Sequence, residues 1–214
     1  MPWFSGTAFF FQKDGTMGQN MERNTLRKHV LRIRDAMNPE ERTAKSRQIH
    51  AMLTGHPAVA GARHLFVYVN FRSEVETLDL INHLISSGKT VSVPVTLRDT
   101  SRLLAVRITD PESQLVPGCY DIPEPTAARV VEATVDPAEI DTVLLPGSVF
   151  DIHGGRLGYG GGFYDRFLSE DAPGALRIGL AFAVQLVERV PVESHDQSMD
   201  FLVTEDQIYE CRRA

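Results

Sequence analysis

The sequence predicts a single α/β domain, a mostly parallel open sheet with helices on both faces, and three observations predict it. An apolar run at 65–69, a helical pattern over 77–87 that stops at Gly88, and a second apolar run at 91–95 follow one another as strand, helix, strand. Two further apolar runs, at 142–145 and 177–182, read as buried strands with a helix between them. No repeat, low-complexity tract or long linker divides the 214 residues, a length suited to one sizeable core.

Taken in order, residues 1–20 read as a disordered extension and 21–214 as the domain. Trp3, Phe4, Phe9, Phe10 and Phe11 form an apolar patch, but no basic residue precedes it and Gln12, Lys13 and Asp14 end it, which is not the pattern of a signal peptide. Leu26, Val30, Ile33 and Met37 then recur at helical spacing in a basic segment. Asn38-Pro39-Glu40-Glu41 reads as the cap and first turn of a second helix. After the strand–helix–strand unit, 103–108 reads as another strand, 117–125 as a turn-rich connection and 202–203 as a last short strand. The expected architecture is a Rossmann-like three-layer arrangement, in which ligands favour the carboxyl ends of the strands.

Composition excludes several classes. With 43% hydrophobic and 23% charged residues the chain has the profile of a globular protein rather than a disordered one, and no apolar run approaches the roughly 20 residues of a membrane-spanning helix. A net charge of −6 argues against a general nucleic-acid binder. Cys119 and Cys211 lie far apart and form no metal or redox spacing, and His29, His50, His56, His64 and His83 show no metal-ligand spacing either. The expected partners are small molecules, and the protein is expected to act in the cytoplasm as a monomer, off membranes and without nucleic acid.

The most informative stretch runs Pro-Gly-Ser-Val-Phe-Asp-Ile-His-Gly-Gly-Arg-Leu-Gly-Tyr-Gly-Gly-Gly-Phe-Tyr-Asp-Arg-Phe-Leu from Pro146. It follows the 142–145 run and leads into a helix, which puts Gly158, Gly160, Gly161 and Gly162 at a strand-to-helix turn. Glycines let backbone N–H groups close on a phosphate, and a helix N-terminus adds partial positive charge. Arg156 offers a charge-assisted fork and Asp165 a magnesium ligand. Neither a Walker loop, which needs Lys and Ser or Thr after its last glycine, nor a Rossmann fingerprint, which needs glycine at Phe163, fits these residues. A tight turn without a ligand accounts for the glycines equally well.

Several motifs together resemble one family: Arg-x-x-x-Arg at Arg23 and Arg27, Glu-Val-Glu-Thr after the first strand, Ile-Pro-Glu-Pro, the long glycine motif, and Pro-Val-Glu-Ser-His-Asp near the end. From about Arg23 to Thr204 the chain resembles the 5-formyltetrahydrofolate cyclo-ligases, also called 5,10-methenyltetrahydrofolate synthetases. The resemblance implies an ATP- and Mg2+-dependent ligase of folate one-carbon metabolism. In the family's reaction 5-formyltetrahydrofolate becomes 5,10-methenyltetrahydrofolate, with ATP as co-substrate, a phosphorylated formyl intermediate, and ADP and phosphate as by-products.

By that resemblance, Arg23 and Arg27 are the amino-terminal phosphate clamp, with Arg23 standing where relatives commonly have Lys. Arg156, Leu157, Gly158, Tyr159, Gly160, Gly161, Gly162, Phe163 and Tyr164 are the ATP loop, Gly161 standing where some relatives have Lys. Arg156, Tyr164 and Asp165 are the catalytic set, and Asp165 and Asp196 the magnesium carboxylates. Tyr68, Val69, Glu74, Tyr159 and Phe163 line the folate side, with Glu74 accepting hydrogen bonds from pterin N–H groups and Glu76 solvated. Tyr120, where some relatives have Trp, is either a stacking partner of the ring or an ordinary core aromatic. Two rival readings remain on sequence: a non-catalytic relative that binds nucleotide, RNA or a partner protein, and an ATP-using enzyme for another formyl or amide substrate.

Overall fold

Two helices open the fold, α1 (Gly15–Asp35) and α2 (Pro39–Gly55), in a computed structural model that describes residues 15–211, with side chains from Asn20 onward. Asn38 is the joint between them. Its side chain accepts the Glu40 N–H at 2.8 Å, Pro39 occupies the first turn, and Glu40 and Glu41 complement the helix dipole, as the sequence predicts. The start of α1 departs from expectation. Residues 1–14 of the expected extension lie outside the described residues, whereas 15–20 belong to α1, because no proline interrupts the segment before Arg23. The buried stripe of α1 also differs from the apolar spacing. Val30 and Arg34 are buried and Ile33 is exposed, with Met37 buried just past the helix end, so an arginine takes a place the pattern assigned to an aliphatic residue.

The chain continues through α3 (Pro57–Gly61), β1 (His64–Val67), α4 (Leu78–Ser86), β2 (Thr90–Leu97), β3 (Arg102–Ile108) and α5 (Pro111–Gln114). A small hairpin of β4 (Leu115–Pro117) and β5 (Pro123–Pro125) occupies the turn-rich connection, followed by α6 (Ala127–Ala133) and β6 (Thr142–Leu145). A second hairpin, β7 (Val149–Phe150) with β8 (Arg156–Leu157), comes before α7 (Phe163–Arg166). Then come a π turn over Phe167–Asp171, β9 (Leu176–Leu180), β10 (Phe201–Val203) and β11 (Ile208–Glu210). The glycine run therefore does not leave the 142–145 strand directly. The β7–β8 hairpin lifts it off the sheet.

Seven strands form one sheet in the order β11-β10-β9-β6-β1-β2-β3, parallel from β10 to β2 with an antiparallel strand at each edge. The α/β class, the mostly parallel sheet and the helices on both faces agree with the sequence. The central strands β1 and β6 are buried at every position, which is what coverage on both faces demands. Alternate residues divide between the faces. Leu65, Val67, Leu144, Ile178 and Val203 meet Ile49 and Leu53 of α2 and Leu80, Ile81 and Leu84 of α4. Phe66, Val143, Leu145 and Leu202 face Phe167 and Leu168 of the π turn, where Phe66 and Phe167 stack at 4.5 Å. A third cluster, Val30 with Val149, Leu157 and Val190, seats α1 on the β7–β8 hairpin.

Gly179 in β9 is required by close approach, since a Cβ there would overlap the Met199 sulfur and press on Leu202 and Phe150. Gly179→Ala is expected to cost about 1–3 kcal/mol through overpacking, read as a lower urea midpoint with an unchanged slope. A midpoint equal to that of the unaltered protein would show that Met199 moves aside freely.

The sheet also places the site. From β1 the chain crosses to β2 on one side, while β6 lies against the opposite side of β1. Their carboxyl ends therefore part at a topological switch point between the loops after Val67 and after Leu145, the position at which open α/β sheets form their ligand crevice. Among the described residues no helix is long and apolar enough to cross a membrane.

Candidate active site

The loop after β6 is held by side chains that the motif does not advertise. Buried Asp151 accepts the N–H groups of His153 and Gly155 at 2.8 Å each and that of Val190 at 2.7 Å, shaping the β7–β8 turn at Gly154. Ser148 Oγ donates to Leu157 O and Gly158 O, and Gln185 Nε2 donates to Gly147 O and Ser148 O. On this base the glycine loop turns with Gly160 at φ 102° and Gly162 at φ 65°, left-handed values that favour glycine. No backbone N–H from Tyr159 to Gly162 donates a hydrogen bond among the described residues, and Tyr159, Gly160 and Gly161 are exposed. Those amides remain available to an anion.

α1 carries arginines along the same edge. Arg23 forks onto Asp196 at 2.7 and 3.2 Å, and Arg27 Nε donates to Gly158 O at 2.7 Å. Burial, outweighed by the hydrogen bonds and charge of Arg23, leaves Asp196 below the usual carboxylate range. Arg27 forms no ion pair among the described residues. Burial and its neighbour Arg23 pull it below its ordinary range, the signature of a cation short of counter-charge beside the glycine loop.

Arg156 is buried and turned inward, donating to Pro146 O at 3.1 Å and to Asp165 Oδ1 at 3.0 Å, with its guanidinium 5.9 Å from the Tyr164 ring centre. Its Nε has no partner among the described residues. Asp165 Oδ1 also accepts the Gln197 N–H at 3.1 Å, while Oδ2 accepts no hydrogen bond among the described residues. Asp165 thus keeps one oxygen for a cation. Both oxygens of Asp196 are engaged by Arg23, and Oδ2 also accepts Glu193 N–H, so the second expected magnesium carboxylate serves an arginine here. Among the described residues no group of three or more His, Cys, Asp or Glu side chains is placed to cage a metal. Magnesium carried on phosphates does not need a cage, since it is usually held by one or two carboxylates.

Across the crevice, the loop after β1 buries Glu74 to 4% exposure, with Oε2 accepting the Phe71 N–H at 2.8 Å. Burial pushes its carboxyl up to about 7, against the opposing pull of that N–H, of Arg34 and of the Tyr159 hydroxyl. Tyr68 and Val69 are buried beside it, Tyr68 donating to Val75 O at 3.1 Å. Phe71 and Tyr159 meet edge to face at 6.2 Å and 77°. Tyr159 is exposed and Phe163 half-buried. Tyr120 is 61% exposed, with Arg98 stacked 4.5 Å from its ring, so it is not a core aromatic. Glu76, expected to be solvated, is half-buried and accepts from Thr43 Oγ1 at 2.9 Å.

The sequence reading missed Arg34, Phe71 and Asp151. Only Arg34 left a trace: Arg23, Arg27, Val30 and Arg34, at i, i+4, i+7 and i+11, share one helix face. That stripe packs on the β7–β8 hairpin and the glycine loop.

The profile of the 5-formyltetrahydrofolate cyclo-ligase family matches residues 19–205. The Escherichia coli K12 5-formyltetrahydrofolate cyclo-ligase is 33% identical over 182 residues, covering 85% of this chain and 99% of that one. The mouse protein of the same name is 28% identical, covering 87% and 95%. Among solved structures, the Aquifex aeolicus 5,10-methenyltetrahydrofolate synthetase superposes with a TM-score of 0.77 at 30% identity, covering 90% of this chain and 94% of that one. By this match over most of its length, the chain belongs to the 5-formyltetrahydrofolate cyclo-ligase family.

Proposed function

We propose that this protein converts 5-formyltetrahydrofolate to 5,10-methenyltetrahydrofolate at the cost of ATP, with magnesium, releasing ADP and phosphate. One observation carries the reading: the buried carboxylate of Glu74 accepts the Phe71 N–H, and the Phe71 ring meets Tyr159 of a glycine loop whose amides are open among the described residues. A flat heterocycle bearing N–H donors suits the first half of that arrangement and a triphosphate the second.

The chemistry follows from a poor leaving group. The formyl oxygen attacks the γ-phosphorus, and the bond from that phosphorus to its bridging oxygen breaks as ADP leaves. N10 then attacks the formyl carbon and gives up its proton. Phosphate departs with the former formyl oxygen, and the new C–N bond closes the ring. Little covalent work falls to the protein, so positioning and charge neutralisation dominate.

Arg27 and the amides of Tyr159–Gly162 hold the phosphates, and Arg23, braced by Asp196, adds charge one turn away. Arg156 fixes Asp165 and the Pro146 carbonyl rather than gripping phosphate directly. Burial raises the Tyr164 hydroxyl far above its ordinary range, so it stays protonated and acts as a hydrogen-bonding wall rather than a base. Tyr68, Val69, Phe71, Tyr159 and Phe163 flank the ring that Glu74 orients. Bound through Asp165 Oδ2, magnesium would supply charge neutralisation at the transferring phosphoryl group.

The test is spectroscopic. Purified protein with 5-formyltetrahydrofolate should develop the near-ultraviolet band of the methenyl product when ATP and a divalent metal are both present, and not when either is withheld. An equal rate without nucleotide would exclude the phosphorylation route.

A further inference from the structure

We infer that Arg34 is a positioning residue that uses the Tyr159 hydroxyl to couple the glycine loop to the Glu74 carboxylate, an inference that rests on the folate reading above. Arg34 is 1% exposed, and a guanidinium is retained at such depth only where its donors are matched. Its three nitrogens reach three separate segments. Nε donates to Ser73 Oγ at 2.9 Å in the loop after β1, Nη1 to Gly147 O at 3.3 Å in the loop after β6, and Nη2 to Tyr159 Oη at 2.9 Å in the glycine loop. A lysine, one compact charge, does not reproduce that fork.

The charge has a destination too. Asp35 lies 3.9 Å from Nη2, but its side chain is 52% exposed, so water screens much of that pairing. Glu74 is the buried acid that remains. Arg34 from α1 is the cation facing it, and Tyr159 from the glycine loop, Tyr68 at the end of β1 and Tyr164 from α7 are the other titratable groups around it. The Tyr159 hydroxyl accepts from Arg34 at 2.9 Å, and the Tyr159 ring meets Phe71, whose N–H Glu74 accepts. Arg34 Nε holds Ser73 next to Glu74, so the guanidinium and this tyrosine tie the glycine loop to the loop that carries the carboxylate. Both neighbours favour the ionised carboxylate, the form that accepts pterin N–H bonds. Since Tyr159 also belongs to the glycine loop, the same contact orients the phosphate amides.

The experiment measures 5-formyltetrahydrofolate binding without nucleotide as a function of pH, and the KM for ATP in turnover, for the unaltered protein and for Tyr159→Phe, Arg34→Met and Arg34→Lys. Binding should weaken as pH falls through the Glu74 midpoint. Arg34→Met should raise that midpoint by about one pH unit and Tyr159→Phe by about half as much, each with a KM for ATP raised about threefold or more. Arg34→Lys should restore the midpoint but not the KM. Thermal melting identifies any Arg34 variant that fails to fold, and Tyr159→Phe, at a half-exposed ring, then decides. Weaker binding with an unmoved midpoint reduces Arg34 to a strut and overturns the inference while leaving the folate reading intact. Absence of folate binding by the unaltered protein overturns both.

Discussion

Asp165→Asn is expected to lower turnover by at least about a hundredfold while the protein stays folded, because several kcal/mol of charge stabilisation at the phosphoryl group go with the carboxylate. The substitution is nearly isosteric. One oxygen remains to accept from Arg156 Nη2 and from Gln197 N–H, which hold Asp165 Oδ1 at 3.0 and 3.1 Å. The amide nitrogen then takes the place of Oδ2, the oxygen that accepts no hydrogen bond among the described residues, and turns the proposed cation ligand into a donor. Arg156 loses its charge partner at a part-buried position, so melting should fall modestly, by about 1 kcal/mol of stability. Initial rates across a magnesium titration make the check. Turnover near that of the unaltered protein, with the same magnesium dependence, would remove Asp165 from the phosphate site.

What the sequence made legible follows from how local each signal is. The cap at Asn38, the stop at Gly88 and the 142–145 strand rest on contacts within a few residues, and each appears where the pattern places it. The β7–β8 hairpin was hidden because its two-residue strands are too short to show alternation, and because Asp151, which holds its turn, reads as one more loop acid. β11 was missed for the same reason: three residues at a sheet edge carry little period. In the site, the glycine loop and Glu74 could be named from motifs, but their partners could not. Arg23 meets Asp196 from 173 residues away, and Arg34 reaches Tyr159 across 125. Sequence shows that a side chain has charge; the fold decides whether it grips a ligand or another side chain. Tyr120 makes the point in reverse, an aromatic in a suggestive place that the β4–β5 hairpin presents to solvent.

Glu74→Gln is expected to weaken folate use by about 5- to 150-fold, the range that roughly 1–3 kcal/mol of unsatisfied buried hydrogen bonding covers. If the carboxylate accepts pterin N–H groups, the variant offers one acceptor and one donor in a desolvated pocket, and the donor faces another donor. The Phe71 N–H, which Oε2 accepts at 2.8 Å, competes for the single oxygen that remains. The loss should appear in kcat/KM for folate, while ATP affinity measured separately stays within about a factor of three, because Arg27 and the loop amides lie on the other side of the crevice. Stability supplies an independent readout. The folded-state value of Glu74, about 7, is above the usual carboxylate value, so its favourable contribution is present at acid pH and is lost as pH rises through about 7. Glutamine does not ionise, so Glu74→Gln should gain in melting temperature relative to the unaltered protein at pH values above that range and not at acid pH. A variant that melts as expected and still handles folate normally would show that Glu74 is a buried structural acid and that the pterin is oriented by other groups.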